Sequence, residues 1–152
     1  MENVEITTMC AIVKGEQVLM LLRKNDWMGW AFPGGHIENN ESIIECVKRE
    51  IREETGLCLN TIHFRGFANF YNPETKKRHI VNNFYSNDFY GNVNSSCDEG
   101  ELKWFNISDI LNQNLAEGME YRLPLFFEDK LQELYVEWTE DKGYIQVDYF
   151  FM

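Results

Sequence analysis

Residues 34–57 read GGHIENNESIIECVKREIREETGL, and the spacing inside this stretch decides how the chain folds. Ile43, Ile44, Val47 and Ile51 recur at helical intervals between about Glu41 and Thr55, and Gly56 stands where a helix ends. Upstream, Pro33-Gly34-Gly35 excludes a continuous strand or helix, so the helix is predicted to spring from a loop. Glu53 and Glu54 follow Glu50 at three and four residues, which puts the three carboxylates on one helical flank. A flank kept only for solubility interleaves lysines at these intervals, whereas this one repeats acid. Such repulsion is tolerated when a hard divalent cation lodges among the oxygens, and carboxylates suit Mg2+ or Mn2+ better than a softer metal. Having no Cβ, Gly34 and Gly35 let the backbone come close to a ligand, and the Gly35 carbonyl becomes a candidate oxygen donor.

Composition bounds the rest. With 152 residues, 44% of them hydrophobic, the chain is long enough to build a core without disulfides or a structural metal, and one domain over 1–152 is expected. No apolar run approaches the ~18 residues that suggest a membrane span. The start, Met1-Glu2-Asn3-Val4-Glu5, is acidic where a secretory signal is basic and then apolar, so a cytoplasmic location is expected. Cys10, Cys46, Cys58 and Cys97 are scattered without a CxxC pair and read as inert thiols. A net charge of -11 argues against bulk nucleic-acid binding. If the substrate is a polyphosphate, a small cation must stand between its oxygens and these acids.

Along the chain, residues 4–14 and 17–23 are β-rich runs that reverse at Gly15-Glu16. Segments 57–71 and 79–93 alternate and are rich in aromatics, consistent with long paired strands joined by a polar connector. A short strand is expected at Leu102 to Phe105, a helix capped near Asn106 or Ser108, and a second helix from Tyr121 to Lys130. Residues 131–138 and 143–152 form a terminal hairpin. Trp27, Trp30, Phe32 and the Phe and Tyr clusters read mostly as core. The expected class is α/β (α+β), a mixed β-sheet flanked by helices.

Read from Gly35, the chain gives five residues, Glu41, seven residues, then Arg49-Glu50-Ile51-Arg52-Glu53-Glu54-Thr55-Gly56-Leu57. This resembles the signature of the Nudix hydrolase family, G-x5-E-x7-R-E-U-x-E-E-x-G-U with U aliphatic, at every constrained position. A merely solvated acidic helix does not explain that match. The resemblance implies an α/β/α sandwich in which Glu50, Glu53, Glu54 and the Gly35 carbonyl hold Mg2+, with Mn2+ able to substitute. It implies that Arg49 orients the glutamates, that Glu41 supports the site, and that the reaction is attack of water on phosphorus in a nucleoside diphosphate linked to another group. The base that activates this water is then Glu53 or a loop carboxylate, for which Asp98, Glu99 and Glu101 are the candidates and Glu101 the choice.

Arg23 and Arg52 are candidate phosphate contacts, with surface salt bridging as the alternative. Lys76, Lys77 and Arg78 read as a solvated triplet, and His36, His63 and His79 lack metal spacing and receive no chemistry. Asn69 and Asn82 or Asn83 are amides that can read a base edge or serve structure. The tail resembles that of Nudix enzymes acting on oxidised purine nucleoside triphosphates such as 8-oxo-dGTP. It departs from them in having Ala116 where a Trp is expected and Met119 where one acid is expected, leaving Glu117 and Glu120. The expected activity is therefore cleavage of a purine nucleoside triphosphate to monophosphate and pyrophosphate. ADP-ribose, dinucleoside polyphosphates and capped RNA are the alternatives, followed by a silent nucleotide-binding regulator. The expected partner is a nucleotide; no membrane partner is expected, and a homodimer is left open.

Overall fold

A computed structural model of the chain describes residues 2–25 and 28–151. The first strands are β1 (Asn3–Lys14), β2 (Gln17–Arg23), β3 (Gly29–Ala31) and β4 (Gly34–His36), followed by helix α1 (Ile43–Thr55). Then come the long strands β5 (Cys58–Asn72) and β6 (Lys77–Tyr90), the short β7 (Ser96–Cys97) and β8 (Gly100–Asn106). A 3-10 turn (Ile107–Asn112), helix α2 (Met119–Phe127) and the hairpin β9 (Leu131–Thr139) and β10 (Gly143–Phe151) complete the order.

The strands form one mixed sheet in the order β10-β9-β5-β6-β1-β2-β8-β7, with β3 beside β2 and β4 beside β1. β1 is its pivot. It runs parallel to β6 from Asn3 against Lys77 to Ile12 against Ser86, and antiparallel to β4 with Thr8 opposite Gly35. Alternation on β1 sends Cys10 and Ile12 towards α1, and Met9, Ala11 and Val13 towards α2. Both faces are covered, which is why this strand reads as an apolar run and not as an alternating one. On one side Val47 and Ile51 of α1 pack with Leu19, Leu57 and Phe84, each such side chain contributing about 2 kcal/mol by leaving water. On the other, Met119, Leu123, Leu125 and Phe126 of α2 pack with Ala68, Phe70 and Val81. The result is the α/β/α sandwich. Among the described residues, no helix is long and apolar enough to cross a membrane.

α1 starts two residues after the expected position because Ser42 is its N-cap. The Ser42 hydroxyl accepts from the Glu45 N–H at 3.0 Å, and the Glu45 carboxylate accepts from the Ser42 N–H at 3.2 Å. At the other end Gly56 takes φ 84°, a left-handed conformation in which a Cβ would also meet the Asn92 carbonyl, so glycine ends the helix. Ile44 was expected in the buried stripe but is exposed; Cys46, Glu54 and Thr55 are buried on α1 instead.

Elsewhere local geometry moves the boundaries. The Gly/Pro/Trp loop holds two three-residue strands, β3 and β4, interrupted at Phe32-Pro33. The helix expected near Asn106 is a 3-10 turn, and Asn106 makes no side-chain cap. α2 begins two residues before Tyr121 because Gly118 turns the chain at φ 83° and Met119 anchors it in the core; it stops at Phe127, short of the expected Lys130. Trp30 is half-buried and packed on the core, Phe32 is fully buried, and Trp27 lies outside the described residues, as do Met1 and Met152.

Candidate active site

α1 gathers its acids around one cation of its own. The Arg49 guanidinium donates to both oxygens of Glu41 at 2.6 and 3.0 Å, to Glu50 at 2.9 Å and to Glu53 at 3.1 Å. A fifth bond at 3.1 Å ties it to the His36 carbonyl, at the end of β4. Only a planar fork of donors can hold so many acceptors in fixed directions. The Arg49 hydrogen bonds hold the Glu41 carboxyl well below the usual carboxylate range. Glu41 lies just before the helix and braces Arg49, while Arg49 pairs with several glutamates and not with one.

Glu54 lies outside this network. Its side chain is buried, one oxygen accepts from the Gly34 N–H at 2.9 Å, and Oε2 has no hydrogen-bond donor. Burial first, and then the Glu99 carboxylate facing it, push the Glu54 carboxyl well above the ordinary range. Burial also raises Glu50, against the pull of Arg49, with Glu53 and Glu99 adding repulsion. Gly35 completes the place: a Cβ there would stand 2.5–2.6 Å from the Glu50 carboxylate atoms, so any side chain would fill the gap. Crowded oxygens, one of them unpartnered, beside a backbone carbonyl and a gap that a side chain would close, fit a hard divalent cation. Among the described residues no three His, Cys, Asp or Glu side chains cage an ion unaided. Glu53, with its side chain 57% exposed, stands at the solvent side of the group.

The loop carboxylate that reaches α1 is Glu99 and not Glu101. Strand alternation decides this: on β8, Leu102 and Trp104 pack on the α1 side, so Glu101 and Lys103 project to the opposite face. Glu101 is exposed and pairs with Leu22 across the strands, while Glu99, in the turn after β7, faces Glu54 and Glu50.

From Gly34 and Gly35 a narrow slot runs past Thr7, Met9 and Arg23 to Glu117 and Arg122. It opens there into a cavity of about 520 Å³, which shares His79, Glu117 and Arg122 with the slot and is walled by Phe70, Trp138 and Tyr144. This volume is ample for a nucleoside. Arg23 and Glu117 both line this slot. Asn82 lies elsewhere: it shares the α1-facing side of β6 with Phe84, and its amide donates to the Thr7 carbonyl at 3.2 Å. Its neighbour Asn83 points to the α2 side, fully buried and with both amide atoms unpartnered. Asn69 is held by Glu133 and Arg78, and Arg52 is exposed on α1.

Two cleft residues escaped the sequence reading. His79 is hydrogen-bonded to the Thr7 hydroxyl at 2.8 Å, and burial, with the nearby Arg122 charge, pulls its imidazole down to about 4. Alternation with Val81 on β6 was the available signal. Arg122 sits in the apolar segment MEYRLPLFF, three residues after Met119 and four before Phe126, an interval that points it inward.

The NUDIX domain family model matches residues 5–126. The chain is 32% identical over 124 residues to the uncharacterized Nudix hydrolase YvcI of Bacillus subtilis, covering 78% of this chain and 76% of that one. It is 27% identical over 135 residues to the mouse oxidized purine nucleoside triphosphate hydrolase, covering 86% and 84% of the two. Its fold superposes on the crystal structure of a mutator MutT protein from Bacillus halodurans with a TM-score of 0.83 at 26% identity, over 95% of this chain and 97% of that one. With the signature glutamates gathered about Gly35 and the family model spanning most of the sequence, the chain belongs to the Nudix hydrolases.

Proposed function

We propose that this hydrolase cleaves the pyrophosphate linkage of a purine nucleoside triphosphate, releasing the nucleoside monophosphate and pyrophosphate, with Mg2+ as cofactor and Mn2+ able to substitute. The observation that carries the proposal is the unpartnered Glu54 oxygen, crowded by Glu50 and Glu99 on a carboxylate held by Gly34, from which a slot leads to a nucleoside-sized cavity. Glu50, Glu53, Glu54 and the Gly35 carbonyl would hold the cation, which when bound neutralises phosphate charge and acidifies water.

The chain's own groups do the rest. Arg49 fixes the directions of Glu50 and Glu53, so that neither has to reorganise as substrate enters. Glu53, the exposed member, takes the proton from the attacking water, and Glu99 replaces Glu101 as the added loop carboxylate. Arg23 lies in the slot, where phosphate oxygens pass, and Glu117 meets the base. The likeness to the mouse oxidized purine nucleoside triphosphate hydrolase supports a purine in the cavity. The same reading takes residues 1–152 as one domain working in the cytoplasm.

The test is a substrate panel with product identification, run with Mg2+ and with Mn2+. Nucleoside monophosphate and pyrophosphate from a purine triphosphate are expected. Turnover confined to ADP-ribose, dinucleoside polyphosphates or capped RNA would replace the substrate while keeping the chemistry.

A further inference from the structure

The two ends of the sheet are finished differently. One ends in β7, only two residues long, which offers little to another strand. The other ends in β10, nine residues long and, among the described residues, paired only with β9. Its outer row of N–H and C=O groups is therefore open. The usual defences of such an edge are thin here. GYIQVDYFF has no proline or lysine, its one charge is Asp148, and its bulge lies at Ile145, near one end. Ile145, Phe150 and Phe151 are 49%, 51% and 65% exposed along it. A long, apolar edge of this kind is a template for another strand.

We infer that β10 pairs antiparallel with β10 of a second copy of this chain, about a twofold axis at Val147, so that two sheets run on as one. Twofold pairing is self-complementary and closes both open edges at once. The lone charge selects the register. Opposite residues of an antiparallel pair share a face, so the axis passes through a residue, and on the straight run from Gln146 the candidates are Val147, Asp148 and Tyr149. An axis at Asp148 sets two carboxylates directly opposite each other, which destabilises the pair. At Tyr149, each Asp148 faces a Phe150 ring, which offers no donor. At Val147, each Asp148 faces Gln146 of the second copy. The Gln146 carboxamide already donates to Asp148 within one chain, and it carries a second N–H for the carboxylate opposite. A second copy is favoured over a foreign strand because this chain supplies both halves of that donor and acceptor pair. Tyr144 of β10 and Trp138 of β9 wall the cavity, so the second copy braces the hairpin that carries them.

The experiment is sedimentation equilibrium of the 152-residue chain over rising concentration, at physiological ionic strength, where charges beyond about 8 Å are largely screened. A mass rising from 18.0 kDa towards twice that value is expected, with amide exchange on β10 slowing in step. Gln146→Asp puts like charges opposite each other twice across the axis and should weaken the dimer about tenfold. Gln146→Lys makes two opposite-charge pairs and should tighten it about threefold. Gln146 is exposed, so both variants are expected to fold, and circular dichroism checks that they do. A chain that is monomeric at every concentration overturns the inference and leaves the edge to a foreign strand. A dimer indifferent to the sign of the charge at 146, or one whose β10 amides exchange as fast as in the monomer, also overturns it, because another face then holds the copies. Growth past the dimer does the same, since a twofold pair closes.

Discussion

The two helices that cover the sheet treat charge in opposite ways. On α1, Arg49 is enclosed by Glu41, Glu50 and Glu53, and the acids are held in fixed directions by it. On α2, Arg122 is walled in by Phe70 and Met9, and among the described residues no acid pairs with it. Under the function proposed above, the first arrangement holds carboxylates ready for a cation. The second leaves the Arg122 Nε without an acceptor. Among the described residues, compensation of arginine charge by acids is thus strong on α1 and missing on α2.

Four changes would break or sharpen this contrast. The largest effect is expected from Glu53→Gln, which should cut kcat by roughly 10²–10⁴ with Tm nearly unchanged, because the side chain is largely in solvent. An unaltered rate would move the base elsewhere. Next, Glu99→Gln should slow turnover clearly more than Glu101→Gln, since only Glu99 faces Glu54; equal losses, or a loss confined to Glu101, would contradict the placement. Third, Glu54→Gln should raise Tm of the metal-free protein while lowering activity, because it removes repulsion from Glu99 and Glu50 and keeps an oxygen for the Gly34 N–H. A fall in Tm would show that the crowding is already relieved.

The smallest effect concerns His79, in contact with the α2 flank. Its imidazole is pulled from 6.5 to about 4 in the fold, so between these values the unfolded chain binds more protons than the native one. Stability therefore rises with pH across that window and is lost as pH falls from 6.5 to 4, by at most about 3 kcal/mol. His79→Asn should flatten this slope in denaturant titrations at successive pH values. An identical slope would assign it to other groups near the cavity, such as Glu5.

Much of α1 was legible because its signals are local. An apolar interval and a terminal glycine lie close together, from Ile43 to Gly56, whereas the equally local Ser42–Glu45 cap went unread and cost two residues at the start. Ile44 was misplaced because neighbouring isoleucines cannot both face the core, and the sequence interval alone does not say which yields. The choice between Glu99 and Glu101 turned on which way β8 alternates, and that is fixed only by the packing of Leu102 and Trp104 against the α1 side. Asn82 and Asn83 posed the same difficulty: adjacent strand residues face opposite sides, and a one-residue shift exchanges them. Arg122 was overlooked for another reason. A lone arginine in an apolar helix looks like solubility, and only contact with Phe70 from β5, distant in sequence, shows that it is enclosed.

Thr7 and Thr8 are successive residues of β1, yet the first hydroxyl meets His79 in the cleft and the second approaches the Gly35 carbonyl at 3.5 Å. One peptide unit therefore acts as a gauge block between the cavity beside α2 and the backbone that faces the acids of α1. A substitution on α2 that reshapes this cavity is thus expected to leave the spacing of Gly35 from β1 as it is.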